Sequence, residues 1–371
     1  MVRASARHDA PFRPAPAVAC GWRLLGPADH PVAAGLPRGT DATAVLLGAE
    51  FRPADNALLL AAVAAAARTG GRLVLVHQGA GGGSLLRVAA REDPGLRVGV
   101  VELPAVPTRA AVAAATAAMH EPEARVDARG RVTRTAWHEV ALPGHGPLPG
   151  GAVLVTGGAR GLGLRAALVL ARVHGWRPVV VDVAEPGRAD RLASARAVVV
   201  RADVRDRDAV RAALATSVTG PVRAVVHCAG VLVAGQVARS TPADLARAQS
   251  AKVAGLRAVL DVVDARELRH LVVFGSVTAH DPHRGMGAYG LANELLRRSA
   301  LSLATRLPNA ATTVAEWALW SGAGMAHEMG AVAQARRMGM TPIPLRAGMD
   351  ALLRLLHRPA GPAHATAIRL D

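Results

Sequence analysis

At about 100 to 200 residues per domain, 371 residues suffice for two domains, and 51% hydrophobic residues can fill a sizeable core, which excludes a disordered chain. No apolar run reaches the roughly 20 uncharged residues of a membrane span, and Arg3, Arg7, His8 and Asp9 leave no signal-peptide core, so a cytoplasmic protein without membrane contact is expected. The formal charge of +16 comes from arginines spread singly along a chain with only 2% aromatics; this argues against nucleic-acid binding and leaves a surface able to steer an acidic partner.

Residues 1–20, rich in Pro, Ala and Arg, read as a linker or N-terminal arm. From Gly21, β and α segments alternate: strand 43–48, helix 54–68, strand 72–76, a helix from Ser84, strand 96–103, a helical stretch 108–120, and a hairpin of 124–127 with 131–134. Residues 21–148 thus form a small α/β unit with fewer strands than a full dinucleotide-binding domain. Within it, Gln78-Gly79-Ala80-Gly81-Gly82-Gly83 follows a strand and precedes a helix, as a phosphate-cradling loop would. It lacks the P-loop lysine and the G-x-G-x-x-G spacing, and reads as a flexible loop.

Pro143 to Gly151 is a Pro/Gly-rich connection, after which residues 149–371 carry a second, stronger series. Strands are predicted at 152–156, 178–182, 197–202, 224–227, 271–275, 312–317 and 366–370. Helices are predicted at 162–173, 206–215, 242–264 and 289–304, with one or two more in the tail from Val332, where 350–356 is amphipathic. The segment after Asp182 is short, so a reduced or missing helix is expected there. Strands alternating with crossover helices predict an α/β, doubly wound parallel sheet.

Thr156-Gly157-Gly158-Ala159-Arg160-Gly161-Leu162-Gly163 joins the first strand of this series to its first helix. Glycines there let the backbone approach a pyrophosphate resting on the helix N-terminus, which predicts a dinucleotide site at Thr156, Gly157, Arg160, Gly161, Leu162 and Gly163. Asp182, ending the second strand, suits the ribose hydroxyls of NADH and repels a 2′-phosphate, whereas Arg160 would attract one. Asp203 and Val204 are placed to meet the adenine, and Ala229 and Gly230, after Cys228, to pass beneath the ribose and nicotinamide. Cys20 and Cys228 support neither a disulfide framework nor a zinc site, and His280 and His283 lack a third ligand, so no metal is expected.

Two residue types occur once each: Lys252 is the only lysine and Tyr289 the only tyrosine. Lysine is a compact ammonium with a tunable proton, and tyrosine adds to phenylalanine a hydroxyl that donates and accepts. Ser276 ends a strand at the carboxyl edge of the sheet, Tyr289 follows thirteen residues later at a helix start, and Asn293 lies one turn further on the same face. Ser276 and Tyr289 can bind one carbonyl oxygen, Tyr289 delivering the proton while Lys252 lowers its pKa.

This constellation resembles the short-chain dehydrogenase/reductase superfamily and, within it, the ketoreductase domains of type I polyketide synthases. Ordinary members carry Tyr-x-x-x-Lys; Tyr289-x-x-x-Asn293 with the lysine at 252 is the exchanged arrangement of polyketide ketoreductases. Val226-His227-Cys228-Ala229-Gly230 and Glu316-Trp317-Ala318-Leu319-Trp320 fit the same half, and Thr341-Pro342-Ile343-Pro344-Leu345 is similar to iterative synthases of the enediyne kind. The resemblance implies a truncated, Rossmann-like structural domain without cofactor before a Rossmann catalytic domain. It also implies reduction by NADPH of a β-ketoacyl thioester on an acyl carrier protein, with neighbouring polyketide synthase domains as partners. Asp182-Val183 stands where NADPH-using members carry Ser-Arg, which leaves NADH open. Leu232-Val233-Ala234 and Asp281 replace the stereochemical signatures of the family, so the alcohol's handedness is not predicted.

Trp317 and Trp320 are candidates for the substrate pocket or for simple packing. Met325 opens a methionine-rich segment placed like a substrate lid. A catalytically silent scaffold and a free-standing dehydrogenase of small ketones are the alternatives to a carrier-bound ketoreductase.

Overall fold

The computed structural model describes residues 2–14, 20–217, 220–359 and 361–370. In chain order its strands are β1 (Val2–Pro11), β2 (Trp22–Leu25), β3 (Ala42–Leu47), β4 (Arg72–His77), β5 (Arg97–Glu102), β6 (Glu123–Val126), β7 (Val132–Val140), β8 (Ala152–Thr156), β9 (Arg177–Asp182), β10 (Val198–Arg201), β11 (Val222–His227), β12 (His270–Ser276), β13 (Ala311–Trp317), β14 (Trp320–Ser321), β15 (Ile343–Pro344) and β16 (His364–Leu370). All but β14 and β15 join one sheet of 14 strands in the order β10-β9-β8-β11-β12-β13-β16-β1-β7-β6-β5-β4-β3-β2.

From β10 to β16 every pairing is parallel. Strands such as β3, β8 and β13 are buried at every residue because helices cover both faces; β3 and β8 are largely apolar, whereas β13 also buries Thr312, Thr313 and Glu316. One face carries helices Gly161–His174 and Leu345–Leu356; the other carries Arg207–Ser217, Gly255–Leu260 and Gly287–Leu303. Strand order reverses between β8 and β11, which opens the crevice at their carboxyl ends where doubly wound folds bind ligands. The helix after Asp182 is reduced to Ala189–Ser194, as its short segment predicts. No described helix is long and apolar enough to cross a membrane.

Two expectations are corrected here. Residues 1–20 are not simply a linker: β1 pairs antiparallel with β16 on one side and β7 on the other, with Ala4 buried. Both partners lie far along the chain, so local composition carries no sign of the strand; residues 1 and 15–19 of that stretch lie outside the described residues. The helix expected over 242–264 is also interrupted. It runs Pro242–Gln249, widens into a π turn over Ser250–Ala254, resumes as Gly255–Leu260 and stops. The wider turn shifts the register of the helix at Lys252, a distortion common at functional sites.

Candidate active site

Thr156 ends β8 fully buried, and the chain turns through Gly157 (φ 65°) and Gly161 (φ 55°) into helix Gly161–His174. A Cβ at Gly157 would lie 2.9 Å from the backbone of Ala229, and one at Gly163 would strike the Gly157 carbonyl oxygen. Strand, turn and helix therefore pack backbone to backbone. Arg160 precedes the helix in extended conformation without capping it by its side chain, so the first N–H groups face outward with the helix dipole behind them. Leu162 touches Gly324 of the segment leading into helix Met325–Glu328.

Asp182 braces this turn: its carboxylate accepts the N–H of Ala159 and of Ala184, each at 3.0 Å. Asp203 lies beyond the end of β10 with its carboxylate held by the Arg205 guanidinium, whose Nε and Nη2 donate at 2.9 and 2.6 Å to one oxygen. These bonds hold Asp203 below the usual carboxylate range. Val204 is buried against Gly255. Ala229 donates its N–H to Thr156 Oγ1 at 3.3 Å, and a Cβ on Gly230 would stand 3.0 Å from Cε of Lys252.

Lys252 is 3% exposed, and its Nζ donates to the Phe274 carbonyl at 3.2 Å while lying 5.6 Å from the centroid of the Tyr289 ring. Burial lowers its pKa to about 8. The Tyr289 hydroxyl is shifted upward, with burial the largest cause. The expected lowering by Lys252, whose Nζ lies 5.6 Å from the ring centroid, does not outweigh that burial. Asn293 Nδ2 donates to the Tyr289 carbonyl at 2.8 Å and to Thr278 Oγ1 at 3.4 Å, leaving its buried Oδ1 without a protein partner. Ser276 Oγ accepts from Thr278 N–H at 3.3 Å. Lys252 and Asn293 thus meet Tyr289, with Lys252 beside Gly230 and Ser276 ending β12 at the same sheet edge as the glycine turn.

Trp317 and Trp320 are not pocket walls. Each is 4% exposed, their rings meet at 4.8 Å, and Trp320 is wedged against Gly348 of helix Leu345–Leu356. Apolar packing under the C-terminal helix claims both. Met325, by contrast, is half-buried at the start of helix Met325–Glu328, near the glycine turn.

Three further residues, His227 among them at the end of a buried strand, support the site from outside the predicted set. His227 links Thr156 Oγ1, at 2.8 Å, to the carbonyl of Lys252, at 2.9 Å. Glu294, beside Asn293, is buried at 3% exposure and accepts the N–H groups of Gly82 (3.2 Å) and Ser84 (2.8 Å). The glycine loop 79–83 is therefore no flexible loop: it is a largely buried anion cradle whose anion is a carboxylate of the same chain. Glu92, ending helix Gly83–Glu92, is the third. A carboxylate inside the apolar run Gly290-Leu291-Ala292-Asn293-Glu294-Leu295-Leu296 was the available signal for Glu294.

A doubly wound sheet with a glycine turn at its switch point and a Ser/Tyr/Lys/Asn cluster on the same edge defines a Rossmann-type oxidoreductase of the short-chain dehydrogenase/reductase class. Residues 151–322 match the family described as KR domain, and the chain belongs to this family as a polyketide synthase-type ketoreductase domain. It is 35% identical over 289 residues to polyketide synthase GfsA of Streptomyces halstedii, an alignment covering 73% of this chain and 4% of that protein. It is 31% identical over 288 residues to the pikromycin polyketide synthase component PikAIII of Streptomyces venezuelae, covering 73% and 18%. The chain thus spans a small fraction of the length of these relatives. Among solved structures it is similar to the PlmKR1 ketoreductase from the first module of phoslactomycin biosynthesis in Streptomyces sp. HK803, with a TM-score of 0.84 and 25% identity over 100% of this chain and 93% of that one. Dependence on a nicotinamide cofactor follows from the family. The residues present fit such a group, since Gly157 and Gly163 keep side chains out of the turn and the helix start is open to an anion.

Proposed function

We propose that this protein reduces the β-keto group of an acyl thioester carried on an acyl carrier protein, within a polyketide synthase, to a β-hydroxyacyl product. The observation that carries this reading is the meeting of Lys252 and Asn293 with Tyr289, Lys252 lying beside Gly230 and Ser276 ending β12 at the same sheet edge. When bound, the cofactor supplies a hydride. Ser276 and Tyr289 hydroxyls bind the carbonyl oxygen, and Tyr289 delivers its phenolic proton as negative charge develops there. Lys252 holds positive charge under the tyrosine ring, and Asn293 fixes the first turn of its helix through the Tyr289 carbonyl. The basic charge of +16 suits an acidic carrier protein. In this reading residues 21–148 are a structural subdomain without cofactor and residues 149–371 the catalytic one.

The resemblance implies NADPH. Asp182, fixed by two backbone N–H groups at the end of β9, sets a carboxylate against a 2′-phosphate, and we infer that NADH is used at least as well. The test is cofactor oxidation, with NADH and NADPH separately, on a β-ketoacyl thioester surrogate, comparing wild type with Tyr289→Phe. Turnover by wild type and its loss in the variant are expected; no turnover by wild type with either cofactor would instead favour a silent scaffold.

A further inference from the structure

We propose that Glu92 and Glu294 are positioning residues for the reduction, through which the part of the chain without a cofactor site sets the place of Tyr289. The proposal rests on the ketoreductase reading. Helix Gly83–Glu92 belongs to the N-terminal part, helix Gly287–Leu303 carries Tyr289 and Asn293, and each contributes one carboxylate to a clamp between them.

At the tyrosine end, Glu92 accepts two backbone N–H groups, from Gly285 through Oε1 and from Val237 through Oε2, each at 2.7 Å. Gly285 (φ 77°) lies just ahead of the helix, whose N-cap, Met286, offers no side-chain bond. Gly235 donates to the Gly285 carbonyl at 2.9 Å and forms a β-bridge with Met286. Glu92 therefore ties the loop from which the Tyr289 helix departs, at Gly285, to the turn that begins at Val237. One turn beyond the tyrosine, Glu294 returns the grip: its oxygens take the N–H groups of Gly82 and Ser84 at the N-terminus of helix Gly83–Glu92, where the dipole favours an anion. Arg298 closes the cradle, donating to the Gly79 carbonyl at 3.1 Å and to both oxygens of Glu102 at 2.8 and 3.0 Å.

These four bonds are charge-assisted, and they hold the chain at Gly285, four residues ahead of Tyr289, and at Glu294, five residues beyond it. Such a placement governs where the phenol stands relative to Lys252 and Ser276, and a displacement of about 1 Å suffices to cost on the order of 100-fold in rate.

The test compares Glu92→Ala, Glu92→Gln and, as a destabilised control in the cluster of the N-terminal part that holds no residue of the Tyr289 half, Met119→Ala, using amide hydrogen exchange and steady-state kinetics. In Glu92→Ala, exchange at Gly285 and Val237 is expected to rise about tenfold or more and kcat to fall about 10- to 100-fold, with dinucleotide affinity changed less than about twofold. Glu92→Gln, whose amide oxygen still accepts, falls between, and Met119→Ala leaves both amides and kcat near wild type. Unchanged exchange, a retained kcat, or an equal loss in Met119→Ala would overturn the proposal. A wild type that binds dinucleotide yet reduces no ketone would sink the ketoreductase reading separately, and the exchange measurement would still decide whether Glu92 holds those amides.

Discussion

His227 Nε2 donates to the Lys252 carbonyl at 2.9 Å, so the π turn that turns the lysine inward is pinned to the end of β11. The same imidazole accepts from the Thr156 hydroxyl through Nδ1, and both bonds require the neutral ring. Burial, and secondarily the charge of Lys252, depress its pKa to about 4. A depressed folded-state value means the stabilisation is whole above the ordinary value near 6.5 and is lost as pH falls toward about 4. His77, buried at the end of β4, behaves alike. Thermal denaturation from pH 7.5 to 4.5 should show a steep loss of stability below about pH 6.5, with up to roughly 3 kcal/mol traceable to His227 alone. A stability curve flat across that window would contradict it.

Lys252 should not be replaceable by the residue used at every other basic position. Its Nζ sits in a dry site closed by Gly230 and the Phe274 carbonyl, and a guanidinium is both larger and unable to share its proton. Lys252→Arg should lower kcat by roughly 100-fold or more while dinucleotide binding survives, as read by steady-state rates and cofactor fluorescence.

The rate should fall on the alkaline side. With its pKa lowered to about 8 by burial, Lys252 loses its charge as pH rises through that value, and Tyr289, shifted upward, keeps its proton. A plot of log kcat against pH is expected to bend downward near 8, and a plateau through pH 10 would rule out Lys252 as the titrating group.

Cofactor choice should turn on Asp182. Replacing it by Ser removes the carboxylate that opposes a 2′-phosphate and loosens the bonds to Ala159 and Ala184. The ratio of kcat/KM for NADPH over NADH should rise about tenfold in Asp182→Ser, a gain of roughly 1.4 kcal/mol in discrimination.

Gly163→Ala should abolish dinucleotide binding more readily than folding. Its new methyl would strike the Gly157 carbonyl and push the helix start away from β8. Titration with NADH, monitored by fluorescence, should show affinity reduced at least about tenfold.

Much of this was legible in the sequence because the catalytic half is built from local repeats. Buried parallel strands announce themselves as apolar runs, the glycine turn by its position between strand and helix, and Lys252 and Tyr289 by being the only residues of their types. What sequence did not disclose depends on distant partners. β1 is a strand through pairs with Leu370 and Val140; the π turn follows from how Lys252 is held; and the glycine loop 79–83 found its anion 210 residues away, in Glu294. Trp317 and Trp320 stand where a pocket wall or a core residue are equally consistent with position, and only helix Leu345–Leu356 closing over them decides it.

Strand β1 has a consequence for how the molecule comes apart. Its five residue pairs with β16 are the seam of the whole sheet, and they join the two most widely separated segments of the chain, a contact that costs the most loop closure and forms late in folding. The peptide between β7 and β8, however, carries no part of that seam. A cut there leaves β1 with one fragment and β16 with the other, so the nicked protein should stay whole under native conditions, its halves held by a zipper of main-chain bonds and separable only by denaturant.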